Sequence, residues 1–182
     1  MQYTVDDINS DKYCTLAQAK THLRIESDYT NDDDLITASI EAAASQIENH
    51  CAVLFGTRDF TIQLSQLSGK IDLPIYPVQS ITAVSYKDVD GSDQSIASDS
   101  VKLFQLDQQR KASIHILGNL PAVEKDNPIA VTITGSCGLG KVPSAVKKAT
   151  KLLIGDSDTY REDRQMAGTD RAVSKLLRPY KY

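Results

Sequence analysis

The sequence predicts an α+β protein in which a helical core is interrupted by an inserted antiparallel β meander. Apolar residues recur every three or four positions in residues 1–57 and again in residues 135–182, a spacing typical of amphipathic helices. In residues 58–134 the period changes to two, which is typical of half-buried strands. Because no helical segment separates these strands, we expect an antiparallel sheet of about five to seven strands and no parallel βαβ units.

The first two expected elements are helices. Thr15 and Gln18 have the spacing of a capping box, and apolar residues at helical intervals follow, so we expect a short helix over residues 15–24. Residues 31–34 then place a capping side chain and three carboxylates before a long Ala-rich stretch. Carboxylates are favourable at a helix N-terminus. We therefore expect a long helix that ends near Gly56.

Short segments with strand patterning follow these helices. Asp90 and Gly91 form a dipeptide typical of hairpin turns, and the polar residues 107–111 separate another pair of strand segments. We therefore expect hairpins at both places. The expected strands cover residues 58–64, 71–73, 78–86, 94–96, 101–106, 112–117 and 129–134.

Helical patterning returns after Gly135. Pro143 suits the first position of a helix, and apolar residues at helical spacing continue from there to Tyr160. Residues 161–170 are charged and lack periodicity, so we expect a mobile loop there. Residues 171–177 should form a last short helix that Pro179 ends.

Two apolar stripes should form the helical core. One lies on the long Ala-rich helix and the other on the helix that starts at Pro143, and both need burial. We expect Ile36, Ile40, Ile47 and Leu54 to pack against Val146, Ala149 and Leu153.

Charge is distributed unevenly along the chain. The 182 residues carry a net charge of −4, yet residues 1–50 hold three bases and ten acids, whereas residues 141–182 hold ten bases and five acids. Segregated charge of this kind favours contacts between copies of a chain, or between its basic end and an acidic partner. The sequence pI of about 5.3 argues against a dedicated reader of duplex DNA.

The composition excludes several classes of protein. A hydrophobic content of 41% and a charged content of 24% are those of a globular protein, and the length suits one domain or one domain with an insertion. No apolar run is long enough for a membrane span, and the N-terminus lacks a signal-peptide pattern. Three cysteines make no disulfide framework and suit a reducing compartment.

Two loops resemble ligand-binding motifs but lack essential positions. Residues 135–141 follow the phosphate-loop pattern, but Val142 replaces the hydroxyl that ligates Mg²⁺ and Pro143 removes a backbone donor. Residues 88–93 resemble part of a calcium loop, yet Gly91 comes too early and strands are expected on both sides. We therefore expect a strand-to-helix turn and a hairpin turn at these positions.

The sequence offers no pattern for a catalytic, cofactor or metal site. His22, His50 and His115 fall in different elements, with no Cys or acid at metal-ligand spacing. The cysteines form no C-x-x-C pair, and no Ser lies in a G-x-S-x-G elbow. We therefore expect no catalysis, no cofactor and no metal.

A series of short motifs runs in order along nearly the whole chain. They are Thr15-Leu16-x-x-Ala19-Lys20-x-His22-Leu23-Arg24-Ile25, Asp32-Asp33-Asp34-Leu35-Ile36, Leu73-Pro74-x-x-Pro77-Val78-Gln79-Ser80-Ile81, Ser85-Tyr86-x-Asp88-x-Asp90-Gly91, Val131-Thr132-x-Thr134-x-x-x-Gly138, Val142-Pro143-x-Ala145-Val146-Lys147 and Leu176-Leu177-x-Pro179-Tyr180. Together they resemble the head-tail connector (adaptor) proteins of tailed bacteriophages. Residues 155–158 depart from that family, in which this helix is typically more apolar and aromatic.

This resemblance implies a virion structural protein without catalysis. Such adaptors form a homo-oligomeric ring, usually dodecameric, beneath the portal protein of a DNA-filled head. The ring extends the channel for double-stranded DNA, which passes without sequence-specific binding, and it docks a tail-side stopper or tail-completion protein. The resemblance places assembly in the host cytoplasm and involves no membrane.

The C-terminal segment is the predicted portal-docking element. It combines cations with apolar and aromatic side chains, and Tyr and Arg are common at interface hot spots. The residues after Pro179 should extend along a partner's sheet edge. The candidate contact residues are Arg171, Lys175, Leu176, Leu177, Arg178, Tyr180, Lys181 and Tyr182.

Two other functions remain open. One is a monomeric phage-encoded chaperone or binding module of the same fold class. The other is an enzyme whose site is assembled from dispersed residues. A mass measurement distinguishes a ring from a monomer, and a pocket with convergent polar groups would favour the enzyme.

Overall fold

A computed structural model of the chain describes residues 1–106, 111–159 and 167–181, with backbone alone at 158–159 and 167–169. These residues form two compact units. The β unit contains Met1–Asp7 and Thr57–Gly140. The helical unit contains Ile8–Gly56 and the chain from Lys141 onwards. Residues 1–7, Thr57 and residues 135–140, which we expected in the helical part, thus belong with the strands.

Strands occur at each of the seven places expected, with small shifts of their ends. An eighth strand, at the N-terminus, was not expected. The strands are β1 Gln2–Val5, β2 Arg58–Leu64, β3 Lys70–Leu73, β4 Val78–Lys87, β5 Asp93–Ser95, β6 Val101–Leu106, β7 Lys111–Ile116 and β8 Val131–Cys137.

The strands form two antiparallel sheets. Five of them pair in the order β1-β2-β8-β4-β5, and three pair in the order β3-β7-β6. The antiparallel pairing that we expected is confirmed. The order differs from that of a simple meander, because β8 returns to the centre of the larger sheet between β2 and β4.

Gly135 of β8 is closely packed between β2 and β4. A Cβ atom added at this position would lie 2.3 Å from the carbonyl oxygen of Ser80 and 2.8 Å from the ring of Phe60. Real Cβ contacts are not that short, so only glycine fits between β2 and β4 here. The first glycine of the phosphate-loop pattern is therefore explained by sheet packing.

Four α-helices lie in the described part of the helical unit. They are α1 Leu16–Leu23, α2 Asp33–Cys51, α3 Ser144–Thr159 and α4 Ala167–Leu177. The expected helix start is confirmed with Thr15 as its N-cap, because the Thr15 side chain accepts a hydrogen bond from the Gln18 N–H at 3.3 Å. Along the described residues, no helix is long and apolar enough to cross a membrane.

Two helix ends differ from those expected, one by several residues and one by a single residue. α2 ends at Cys51 and not near Gly56, because Ala52 adopts a left-handed conformation with φ of 51° that stops the helix. α3 begins at Ser144, one residue after Pro143, whose carbonyl accepts the Lys147 N–H at 3.1 Å.

The charged segment before the last helix is only partly described. A mobile loop was expected over residues 161–170, but residues 167–170 belong to α4, so that expectation is wrong for them. Residues 161–166 lie outside the described part of the chain, as do Tyr160 and residues 107–110 of the expected second hairpin turn.

The expected helical core is confirmed apart from one residue. Ile36, Ile40 and Ile47 of α2 belong to the same buried cluster as Val146, Ala149 and Leu153 of α3. Leu54 is only partly buried and lies outside this cluster. Its neighbours Val53 and Phe55 are buried there instead, since the chain has already left α2 at Ala52.

Candidate docking interface

The cations of the C-terminal segment are exposed. Arg171 and Lys175 lie on α4, and Arg178 follows at the start of a short 3-10 helix, Arg178–Tyr180. Spacings of four and three residues place these three side chains on one face. Lys181 is also exposed. The described end of the chain therefore presents a row of positive charge.

The apolar residues of this segment mostly face the interior. Leu177 is fully buried in the helical core, so its side chain has no surface left for a partner, and its expected role as a docking anchor is corrected. Leu176 and Tyr180 are partly buried against the same core. Tyr182 lies outside the described residues.

The residues around Pro179 do not extend as expected. They form the 3-10 helix that continues α4, and the Lys181 N–H donates to the Leu177 carbonyl at 3.1 Å. Pro179 has no backbone N–H, and the Lys181 N–H is already used within this turn. The segment is therefore not preformed to add a strand to a partner's sheet.

Tyr180 anchors the C-terminal segment to the end of α2. Its ring lies edge-on to the ring of Phe55, with 5.6 Å between centroids. The Phe55 N–H donates to the buried Glu48 carboxylate at 2.9 Å, and the Tyr13 hydroxyl donates to the same oxygen. The sequence analysis missed this cluster, although an acid within an apolar helical stripe is a signal for it.

A second buried charge orders the connection between α1 and α2. Lys20 of α1 is only 6% exposed. Its ammonium donates to the Tyr29 carbonyl at 2.8 Å and lies 2.5 Å from a carboxylate oxygen of Asp33, the first residue of α2. Asp33 therefore does more than favour the helix N-terminus, because it also ties α2 to α1.

The two loops that resemble ligand-binding motifs have structural roles. In the loop after β8, the Gly138 N–H donates to Pro77 at 2.8 Å and the Gly138 carbonyl accepts from the Gln79 side chain at 2.8 Å. In the β4–β5 hairpin, one Asp88 oxygen accepts the N–H groups of Asp90 and Ser92 at 3.0 and 2.9 Å. The expected strand-to-helix turn and hairpin turn are confirmed.

Among the described residues, no group of three or more His, Cys, Asp or Glu side chains could hold a metal ion. Cys14, Cys51 and Cys137 are buried thiols. Burial raises the pKa of the Cys14 thiol, an effect that Lys151 and Lys147 offset only in part. An open cleft of about 510 Å³ lies beside α1, and its lining includes His22, Arg24 and Lys151.

Comparison with known proteins decides the family. The family model of the phage gp6-like head-tail connector proteins matches residues 13–120, more than half of the chain. The chain belongs to this family. It is therefore a virion structural protein, a head-tail connector. The match includes α1, the Lys20–Asp33 contact, α2 and strands β2 to β7. No curated protein matches the sequence.

Solved structures share the fold of this connector over its whole length. A chain from the neck of an empty gene transfer agent particle, computed with C6 symmetry, has a TM-score of 0.76 and 21% identity. A chain from the virion of the native particle gives 0.74 and 22%. One from the native neck, computed with C12 symmetry, gives 0.72 and 21%. Each alignment covers 100% of this chain and 95% of the other.

Proposed function

We propose that copies of this connector assemble side by side into a dodecameric ring beneath the portal protein of the head. The family match over residues 13–120 carries this proposal. The similar chains come from necks computed with C6 and C12 symmetry, and a twelvefold ring contains both operations. A closed ring needs a heterologous interface, in which different patches of neighbouring subunits meet.

The ring extends the channel through which double-stranded DNA leaves the head. Phosphate contacts depend on Lys and Arg, whereas the exposed residues of α2 include the acids Asp34 and Glu41. A channel wall that displays such acids lets DNA pass without holding it. The same ring docks a tail-side stopper or tail-completion protein, acts without catalysis and is assembled in the host cytoplasm.

The C-terminal segment docks the portal through its exposed cations. Arg171, Lys175 and Arg178 share one face, and Lys181 follows them. Leu176 and Tyr180 contribute their exposed parts, while Leu177 supports them from the core. Because Tyr180 packs on Phe55, the docking face is held in place before the partner arrives.

Imaging of the connector mixed with purified portal particles tests the ring. We expect a twelvefold ring at one end of the portal and co-sedimentation of the two proteins. A chaperone would act during assembly and leave, so mass spectrometry of finished virions provides the second measurement. Absence of the chain from virions, together with a monomer on portal particles, would favour the chaperone over the connector ring.

A further inference from the structure

The exposed face of the three-stranded sheet carries an unusual combination of side chains. The strand register places Lys102 of β6 opposite His115 of β7, and His115 opposite Lys70 of β3. Since side chains alternate along a strand, Phe104 and Leu106 lie on the same face as Lys102. We call this surface, with Lys111 opposite Leu106, the β6–β7–β3 face.

This face is both apolar and basic. Phe104 is 54% exposed and Leu106 is 57% exposed, although large apolar side chains are usually covered. The Phe104 ring contacts the His115 ring, with 4.6 Å between centroids. Among its described residues the face also carries Lys70, Lys102 and Lys111, and the carboxylate of Asp72 lies 3.3 Å from the Lys70 ammonium. A ligand of this surface must therefore bring both apolar side chains and negative charge.

The helical unit presents a surface with the opposite properties. Residues 26–35 comprise the connection between α1 and α2 and the first residues of α2; we call them together the acidic loop, and they expose the carboxylates of Glu26, Asp28 and Asp34. The same loop exposes 43% of Tyr29 and 53% of Leu35. It thus combines large apolar side chains with acids, as the β6–β7–β3 face combines them with bases.

The acidic loop is held in one shape by Lys20. The buried ammonium of Lys20 contacts the carbonyls of Ser27 and Tyr29 and the carboxylate of Asp33. These contacts are spread along the loop, from its second residue, Ser27, to Asp33 near its end. A loop that is ordered before binding loses less entropy when it docks.

We propose that the β6–β7–β3 face of one subunit receives the acidic loop of the adjacent copy. This contact rests on the proposed ring, in which it would join each subunit to the next. Lys102 and Lys111 face Asp28 and Asp34, while the apolar side chains of the two surfaces are covered together. Because the two surfaces differ, the contact is heterologous and propagates around a ring.

Duplex DNA is the other occupant with the right charge. Phosphates would engage the lysines, but they would leave Phe104 and Leu106 exposed to water, since apolar side chains gain nothing from a phosphate. The acidic loop satisfies both properties of the face. A second copy of the chain is therefore the occupant that the side chains favour.

Cysteine cross-linking between two separately prepared variants tests the contact. Asp72→Cys lies on the β6–β7–β3 face, and Ser27→Cys lies in the acidic loop of a second, affinity-tagged preparation. The natural cysteines are buried, so a short bis-maleimide reacts with the introduced thiols. We expect a mixed dimer on portal particles in several-fold excess over a control that pairs Ser27→Cys with Lys125→Cys, an exposed site elsewhere in the β unit.

Charge reversal provides the second arm. Lys102→Glu should reduce the mixed dimer several-fold, Lys125→Glu should leave it unchanged, and Asp34→Lys should restore it with Lys102→Glu. Connector that co-sediments with portal particles but yields no excess of mixed dimer would overturn this inference and leave the ring intact. Connector that fails to bind portal would overturn the proposed function as well. DNA binding that Lys102→Glu abolishes, with no mixed dimer, would assign the face to DNA.

Discussion

Glu48 is a buried carboxylate that joins distant parts of the helical unit. It lies on α2, accepts the Phe55 N–H at 2.9 Å and also accepts the hydroxyl of Tyr13. Phe55 in turn supports the ring of Tyr180 near the C-terminus. The Glu48 side chain thus connects Tyr13, which precedes α1, with Phe55, which follows α2. Through Phe55 it also supports the C-terminal segment.

Replacing Glu48 should therefore destabilise the helical unit. Glu48→Ala removes the acceptor of the Phe55 N–H, and a buried donor left without a partner costs about 1–3 kcal/mol. Glu48→Gln keeps an oxygen at this position and should lose less. Chemical denaturation measures both free energies of unfolding. An equal loss in the two variants would show that the oxygen acceptor is not what stabilises this region.

Asp88 makes the β4–β5 hairpin sensitive to acid. Hydrogen bonds from the Ser92 N–H and the Gln94 side chain, and a further one from the Asp90 N–H, lower the pKa of this carboxyl below its ordinary value. A lowered pKa means that the ionised form favours the folded hairpin. Its stabilisation is present above the ordinary aspartate pKa and is lost as the pH falls through the lower, folded value.

NMR titration of the Ser92 amide should follow this ionisation. We expect a midpoint below that of an aspartate in an unfolded peptide. Asp88→Asn keeps an oxygen acceptor but has no charge to lose, so its Ser92 amide should lack the transition. A midpoint at or above the ordinary aspartate value in the wild type would contradict the role assigned to these hydrogen bonds.

At the scale of elements, the packing of α2 on α3 can be tested at Ile40. This residue is 2% exposed within the helical core, and Leu or Ile to Ala changes at such sites cost about 2–5 kcal/mol. Ile40→Ala should lower the melting temperature, whereas Glu41→Ala, on the exposed side of the same helix, should have little effect. An unchanged melting temperature for Ile40→Ala would refute this packing.

Docking of the C-terminal segment is best tested by reversing charge. Deletion would also remove Tyr180 from Phe55 and disturb the fold. Arg178→Glu with Lys181→Glu changes exposed side chains alone, so we expect an unchanged melting temperature and loss of co-sedimentation with portal particles.

The matched control reverses two exposed lysines of α3, Lys147 and Lys148. This control has the same net charge as the variant with Arg178→Glu and Lys181→Glu, which we call the docking variant. A general effect of charge would therefore weaken the binding of both variants to portal particles equally. Normal binding of portal by the docking variant would place the docking surface elsewhere in the connector.

Local patterning predicted most of these elements, because an amphipathic helix or half-buried strand leaves its period in the sequence. β1 was not predicted, because three of its four residues are exposed and they show no alternation of buried and exposed positions. It exists because Tyr3 pairs with Ile62 and its neighbours pair along β2. The central position of β8 likewise depends on pairing between distant segments, which no local period records.

The candidate site, like the fold, could be predicted where it depends on nearby residues and not where it depends on residues far apart in the sequence. The sequence predicted a group of cations in the C-terminal segment, and in the structure Arg171, Lys175 and Arg178 share one exposed face. The spacing did not reveal that Leu177 belongs to the core, because an apolar side chain at the end of a helix serves equally as an anchor or as core until its neighbours are known. The buried cluster that contains Leu177 includes residues far away in the sequence, such as Ile47 and Phe55.

At the scale of the whole molecule, the uneven distribution of charge along the chain bears on contacts within the proposed ring. Residues 1–50 hold ten acids against three bases, and the chain from residue 141 onwards holds ten bases against five acids. Within a ring, each subunit offers acidic surfaces such as the acidic loop to a neighbour. In the proposed ring, basic surfaces of the same subunit are then available to the other neighbour and to the portal.

Ring assembly should therefore weaken as salt rises. Contacts between exposed charges are screened over a Debye length of about 8 Å at physiological ionic strength, and over about 3 Å at 1 M. Analytical ultracentrifugation of the connector with portal particles, across this range of sodium chloride, measures the effect. Lys102→Glu should have a flatter salt dependence than the wild type, because it has already lost an attractive pair at the subunit contact. Assembly that does not change with salt would mean that Phe104, Leu106 and other apolar side chains hold the ring together without help from charge.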